Sequence, residues 1–376
     1  MPAPLSADDV AMLALTLVPG LGPRLTNALL DHFGSATTAR AATVQQLLEV
    51  PHIGPKLAAD FVQALARIDL STELALLEHH GVSLAILGQN HYPPPLAAIA
   101  DAPRLIYYRG TLTPADYKAV AIVGSRQCTT YGKKMAERLA AGLARTGYTV
   151  ISGLARGIDG SAHEGALSAS GRTIAVMAGG LSSIYPPDHS ELADRVAGSG
   201  ALVTETPMAM QPQRGMFHAR NRLISGLARA VVVIEANDRS GALITARHAG
   251  EQGRDLFALP ANVDSMTSAG SLKLLRDGAR LIRDLDDLLE DLEGIPAQDL
   301  SAKTDHVPVP PSLFPAVPDL PEGELRIWEA LDESRPIDDL SRRLDLPIAE
   351  LSRLLMTLEL KKVIKRLPGN FYERRS

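Results

Sequence analysis

The chain has 376 residues, is 45% hydrophobic but only 4% aromatic, and carries a formal net charge of −5. That length allows two to four domains with a largely aliphatic core. The charge excludes a uniformly basic nucleic-acid coat, so a site for such a ligand has to be a local patch.

The start holds Asp8 and Asp9 and no basic region, which makes a poor signal peptide. The apolar run over 11–18 is far too short to span a bilayer. One cysteine, Cys128, excludes an internal disulfide and a cysteine metal site, and fits a reducing cytosol. The expectation is a soluble, cytoplasmic protein without membrane insertion.

The first 75 residues read as a helical module with a degenerate repeat. Val18-Pro19-Gly20-Leu21-Gly22-Pro23 and Val50-Pro51-His52-Ile53-Gly54-Pro55 are glycine turns, each opening a helical pattern, from Leu25 to His32 and from Leu57 to Leu65. This is the pattern of a helix-hairpin-helix pair, whose turns can bring backbone N–H groups to a phosphate. A small packing module is the competing reading, favoured by 8 Asp/Glu against 4 Lys/Arg in residues 1–100.

Residues 76–292 change character. The apolar runs 119–123, 148–151, 173–177, 201–204, 230–234 and 255–259 alternate with helix-period stretches such as 133–145, 161–170 and 242–252. Near-continuous apolar strands between helices predict a Rossmann-like, doubly wound, mostly parallel sheet in an α/β core. Residues 293–320 hold six prolines and no periodicity, the composition of a semi-rigid linker. In residues 321–376, helical patterns over 324–331, 337–344 and 349–360 precede two strand-like runs around Pro368-Gly369-Asn370. Three helices and a hairpin predict a winged helix. Its last helix, over 349–360, offers Arg353 against Glu350 and Glu359, too neutral to favour a DNA groove over a protein partner.

Ligands of open α/β sheets bind beyond the carboxyl ends of the strands, at the switch in strand order. The residues found there are Gly124, Ser125 and Arg126; Arg156; Gly179 and Gly180; the run Phe217-His218-Ala219-Arg220-Asn221-Arg222; and Arg239, Ser240 and Gly241. With Arg214, six arginines are expected to converge on one rim. Guanidinium forks match phosphate oxygens, and glycines admit close backbone approach and offer N–H donors. Phe217, read as lying on a loop that opens a helix, either packs under that helix or stacks on an unpaired base.

Enzyme chemistries lack their signatures. There is no Gly-x4-Gly-Lys-Ser/Thr run and no Gly-x-Gly-x-x-Gly after the first core strand. His163-Glu164 and Asp188-His189 lack metal-ligand spacing, and no serine sits in a Gly-x-Ser-x-Gly elbow. No catalytic residue, cofactor or metal is assigned.

Ala121-Ile122-Val123-Gly124-Ser125-Arg126, Ile151-Ser152-Gly153-Leu154-Ala155-Arg156-Gly157-Ile158-Asp159, Ala162-His163, Phe217-x-x-Arg220-Asn221-Arg222 and Ser240-Gly241-x-Leu243-Ile244-Thr245-Ala246 resemble, in order and spacing, the DNA-processing protein A (DprA, or Smf) family. The likeness is dense over 92–288. It implies a bacterial protein that binds incoming single-stranded DNA during natural transformation. Such a protein protects the strand, helps load the recombinase RecA while displacing single-strand-binding protein, and acts as a homodimer through its core without established catalytic activity. Gly124, Ser125 and Arg126 would then form the phosphate loop, with Phe217, Arg220 and Asn221 as the base-and-backbone contacts. Arg156 stands where lysine is common, His218 where proline is, Ala261 where glycine is, and Lys273 where asparagine is. The alternative from the residues is a phosphoribohydrolase of nucleoside monophosphates, similar to the cytokinin-activating LOG proteins, with Glu205 or Glu235 as acid. Its Pro-Gly-Gly-x-Gly-Thr-x-x-Glu run is missing. A winged-helix transcription regulator is a third reading, weakened by the neutral helix over 349–360.

Overall fold

The computed structural model describes residues 5–265 and 267–293, together with 321, 324, 326–327, 330–331, 335–344, 346–361, 363–367 and 371–374. The chain divides into two compact units, Met1–Leu300 and Ser301–Ser376. The expected linker over 293–320, apart from Glu293, and the turn Pro368-Gly369-Asn370 lie outside the described residues.

The first unit opens on helices Ala7–Thr16, Pro23–Phe33, Ala36–Arg40, Val44–Leu47, Pro55–Arg67 and Leu70–His80. The two glycine turns lead into Pro23–Phe33 and Pro55–Arg67, each with proline in the first turn, where its missing N–H costs nothing. These helices share one apolar cluster with the neighbouring sheet edge, from Leu13, Leu29 and Phe61 to Leu105, Tyr107 and Leu202.

The sheet has nine strands: β1 (Val82–Ile86), β2 (Leu105–Gly110), β3 (Ala119–Val123), β4 (Thr149–Ser152), β5 (Thr173–Val176), β6 (Ala201–Thr204), β7 (Ala230–Val233), β8 (Asp255–Ala258) and β9 (Arg280–Leu281). Their order is β1-β2-β6-β5-β4-β3-β7-β8-β9. Strands β3 to β9 pair in parallel, with Ala121 opposite Ile151 and Val123 opposite Val233. The edge pair β1–β2 joins antiparallel, through β2 on β6. The parallel, helix-covered part is the Rossmann-like core that the alternating pattern predicts. The six strands read from sequence lie within one residue of their observed bounds at each end.

Every residue of β3 is buried, because helices cover both faces. Its side chains alternate: Ala119, Ala121 and Val123 join Leu223, Ile224 and Leu227 on one side, and Val120 and Ile122 join Met135, Leu139 and Leu143 on the other. The helix Thr130–Arg145 shows how sequence dictates this packing. Thr129 caps it by accepting from Gly132 N, and Met135, Ala136, Leu139, Ala140 and Leu143 bury one stripe while Lys133, Lys134, Glu137 and Arg138 face water. Each fully buried leucine there contributes about 1.5–3 kcal/mol.

In the second unit, helices Ile337–Leu344 and Ile348–Leu360 precede strands Ile364–Leu367 and Phe371–Arg374, with Arg335–Pro336 as a third strand. Ile327, Leu331, Leu340, Leu351, Leu355, Leu358 and Ile364 form its core. This is the winged helix expected from the pattern. Among the described residues, no helix is long and apolar enough to cross a membrane.

Candidate nucleic-acid interface

The chain lays down β3, β4, β5 and β6 in one direction, then crosses back to place β7 on the other side of β3. A crevice opens at that switch, between the loops that leave β3 and β7.

The loop after β3 is fixed from beneath. Ser125 N donates to Glu235 O at 2.7 Å, and Ser125 Oγ accepts from Gln127 N. Ser125 N is therefore engaged within the loop. Gly157 has φ +83°, and a Cβ there would press on the carbonyls of Ser125 and Arg126. Only glycine lets the two loops close this tightly. After β7, Asn237 Oδ1 accepts from Arg239 N, Ser240 Oγ accepts from Ala242 N, and Asn221 Nδ2 donates to Gly241 O at 3.0 Å.

The Phe217–Arg222 run is not on a loop. It lies within the helix Arg214–Leu227. At 100° per residue, Arg214, Phe217, Arg220, Asn221 and Ile224 share one side, and Arg222 points the opposite way from Arg220. All five line the crevice; Arg222 does not. The Arg222 guanidinium is buried against Glu205 and Asp101, bonding the Glu205 carboxylate and the Asp101 carbonyl. The expectation that Arg222 joins the rim is thus corrected: the helical period turns it into the protein.

Arg220 is only 5% exposed and forms the floor. It donates to Val176 O, and its guanidinium lies so close to Gly153 that a Cβ there would strike it. Burial draws its pKa down to about 10, helped by Arg126 and opposed by Asp159, so it stays charged at neutral pH. Burial pushes the Asp159 carboxyl up, against the pull of Arg220, the Ala155 N–H and Ser152.

Above this floor lies a cleft of about 660 Å³, lined by Gly124, Ser125, Arg126, Arg214, Phe217, Arg239 and Ser240 among others. Arg126, Arg214 and Arg239 are exposed, and among the described residues none has an ion-pair partner. A second compartment of about 280 Å³ adjoins it, sharing Arg126, Gln127, Ala155, Phe217 and Arg220, and adding Gly153, Arg156, Gly179, Tyr185 and Pro212 among others. The Arg126 guanidinium sits 4.9 Å from the Phe217 ring centre, and Tyr185 meets that ring edge-on at 5.7 Å and 60°. Arg156 reaches this rim but is held by Asp188 through two bonds of 2.8 and 2.6 Å. Gly180 stays below the surface, its N–H bonded to Met210 O.

Three arginines therefore line the trough open, one is paired, one is its floor, and Arg222 is elsewhere. Sequence reasoning missed Gln127, Tyr185, Pro212 and Asn237. Tyr185 had one usable signal, an aromatic residue on the long loop after β5. Glu205 bonds Arg222, while the Glu235 carboxylate accepts from Thr129 N at 2.8 Å and from Thr129 Oγ1. Neither glutamate lines the trough.

The family model described as DNA recombination-mediator protein A matches residues 83–293. A DprA winged-helix model matches 310–370, and a SAM-like helix-hairpin-helix tandem matches 12–67. Protein Smf of Synechocystis is 33% identical over 98% of this chain and all of its own length. Protein Smf of Escherichia coli is 37% identical over 81% of each chain. Among solved structures, DNA processing protein A of Streptococcus pneumoniae superimposes with a TM-score of 0.67 at 33% identity, covering 75% of this chain and 97% of its own. The Helicobacter pylori protein, whose structure concerns its single-stranded DNA binding mode, gives 0.52 at 31% identity, covering 57% and 97%.

Proposed function

Because the chain belongs to the DNA recombination-mediator protein A family, we propose that its trough binds single-stranded DNA and that the protein is a recombination mediator rather than an enzyme. The observation that carries this is that Arg126, Arg214 and Arg239, exposed and without an ion-pair partner among the described residues, line one cleft together with Phe217, with Arg126 over its ring. Guanidinium groups take phosphates, and an aromatic face takes a base of any sequence once it is unpaired. The Helicobacter pylori relative's single-strand binding supports the same reading. Gly124, Ser125, Gly179, Asn221, Ser240 and Gly241 shape the wall, and Arg220 supplies fixed positive charge beneath it.

The finer role follows the family: protection of incoming DNA in the cytoplasm and help in loading RecA against single-strand-binding protein, by a homodimer formed through the core. The division at 75, 292 and 320 belongs to this proposal, with the winged helix as a partner-binding addition. The phosphoribohydrolase reading loses its acids, since Glu205 and Glu235 are engaged elsewhere.

The test is fluorescence anisotropy with labelled oligothymidylate at moderate salt. Binding is expected to be salt-sensitive and sequence-tolerant, and to weaken in Arg126→Ala and in Arg239→Ala. Wild-type affinity in both variants would remove the trough from the account. Release of free base from nucleoside monophosphates would revive the hydrolase.

A further inference from the structure

The lip of the trough is held from a distance. The segment 207–212, between β6 and the helix Arg214–Leu227, contributes Pro212 to the smaller compartment and leads into Arg214 and Phe217. It lies along the loop after β5: Met208 O accepts from Ser182 N and Oγ at 3.2 and 2.6 Å, and Met210 O accepts from Gly180 N at 2.8 Å. A glycine pair makes that approach possible. A Cβ on Gly180 would strike the Pro207 and Met208 carbonyls, and one on Gly179 would strike Pro212.

The other hold on this segment comes from the N-terminal helices. Of the eight Asp and Glu residues in 1–100, Glu73 alone is buried, at 5% exposure. Its Oε1 accepts from Met208 N at 2.9 Å, and the Met208 side chain is fully buried in the apolar cluster of those helices. The Tyr107 hydroxyl is buried beside the same carboxylate, and desolvation and that charge push its pKa well up. Among the described residues Glu73 has no ion-pair partner. A carboxylate taken out of water without a countercharge is costly, and a bond from an amide offsets part of that cost. Neither Glu73 nor Met208 lines the trough.

We propose that Glu73 is a positioning residue for strand binding. The helical module acts on the trough by holding the Met208 amide, and with it the lip that bears Pro212 and opens the Arg214 helix, without touching the nucleic acid. This rests on the single-strand reading above and gives the module a part that requires no phosphate contact from its glycine turns. Its acidic surface is then no obstacle, because its contribution passes through a buried bond. Without the carboxylate, the Met208 N–H is left unsatisfied and the lip moves to find a partner. An incoming strand then has to order it.

Oligothymidylate binding by the full chain, read by anisotropy and stopped flow, tests this with two substitutions. Glu73→Leu keeps the bulk but leaves the Met208 amide without an acceptor, and affinity is expected to fall by about five-fold. The salt slope should stay at its wild-type value, because no phosphate contact is lost. The observed rate should reach a plateau with oligonucleotide concentration as lip ordering becomes limiting. Glu73→Gln restores an acceptor and should return affinity to within about two-fold and the rate to linear. If folded Glu73→Leu protein binds with wild-type affinity and a linear rate, Glu73 serves stability alone and the proposal falls. Wild-type protein supplies a check that needs no variant. Coupling is reciprocal, so saturating oligothymidylate should slow amide hydrogen exchange in the helix Leu70–His80, which lies outside the trough. Unchanged exchange there overturns the proposal, whether or not Glu73→Leu folds. Arg126→Ala separates the two readings: if it weakens binding while Glu73→Leu does not, the single-strand reading stands without the brace. A wild type that binds no oligonucleotide removes both.

Discussion

The two sides of the Arg214–Leu227 helix carry the same residue type to different ends. Toward the strand ends, Phe217, Arg220 and Asn221 face an open cleft beside exposed Arg126 and Arg239. On the opposite side, two residues from Arg220, Arg222 is buried between Glu205 and Asp101. The difference teaches that an arginine count along a motif measures neither field nor function. What decides is the 100° step of the helix and the presence of a carboxylate at its end.

The largest effect that would break this comparison lies on the buried side. Arg222→Ala leaves Glu205 without its countercharge, and denaturant unfolding should show a loss of about 3–5 kcal/mol. Oligonucleotide affinity of the protein that remains folded should be unchanged; a selective loss of binding at full stability would return Arg222 to the site. Next comes Arg126→Ala, expected to weaken oligothymidylate binding by about ten-fold while leaving the melting temperature within a degree or so, as for an exposed side chain. Smaller again is the salt signature. Each of Arg126, Arg214 and Arg239, when replaced by alanine, should reduce the slope of log affinity against log salt by about 0.7 if it meets a phosphate of a single strand. An unchanged slope would assign that arginine another role. Asp188→Asn should have the smallest effect. It frees Arg156 from an exposed pair, and affinity should rise by about two-fold; a fall would mean that Asp188 holds Arg156 in its useful position.

The second unit gives another contrast. It has the winged-helix fold, yet its helix Ile348–Leu360 carries Glu350 and Glu359 against Arg353. Fold alone does not confer a nucleic-acid surface. Removing residues 301–376 should leave single-strand affinity within about two-fold.

Much of the core was legible because burial on both faces leaves an apolar run that few other structures explain. Ala119–Val123 and Ala230–Val233 are such runs, and Gly124 marks where the chain turns after the first. The β1–β2 edge was harder: Val82–Ile86 and Leu105–Gly110 are half-buried, and the helical segment Pro94–Ala97 stands between them. At the site, the strand-end rule located Gly124, Arg126, Ser240 and Gly241 from spacing alone. It failed for Arg222 because the run was read as a loop, where neighbours can all face one ligand. It passed over Tyr185 and Pro212, which reach the trough from the loop after β5 and the lip before the helix. Tyr185 is more than thirty residues from Phe217 in the chain, and only the fold brings the two rings together.

Glu235 makes a point about kinetics. Its carbonyl holds the Ser125 amide while its carboxylate secures Thr129 at the head of the neighbouring helix, so a single residue anchors both ends of the loop that bears Arg126. A loop tethered in this way has little freedom left to surrender when ligand arrives. Capture of a passing strand should therefore run as one bimolecular step, with an observed rate that climbs linearly with oligonucleotide concentration and reaches no plateau.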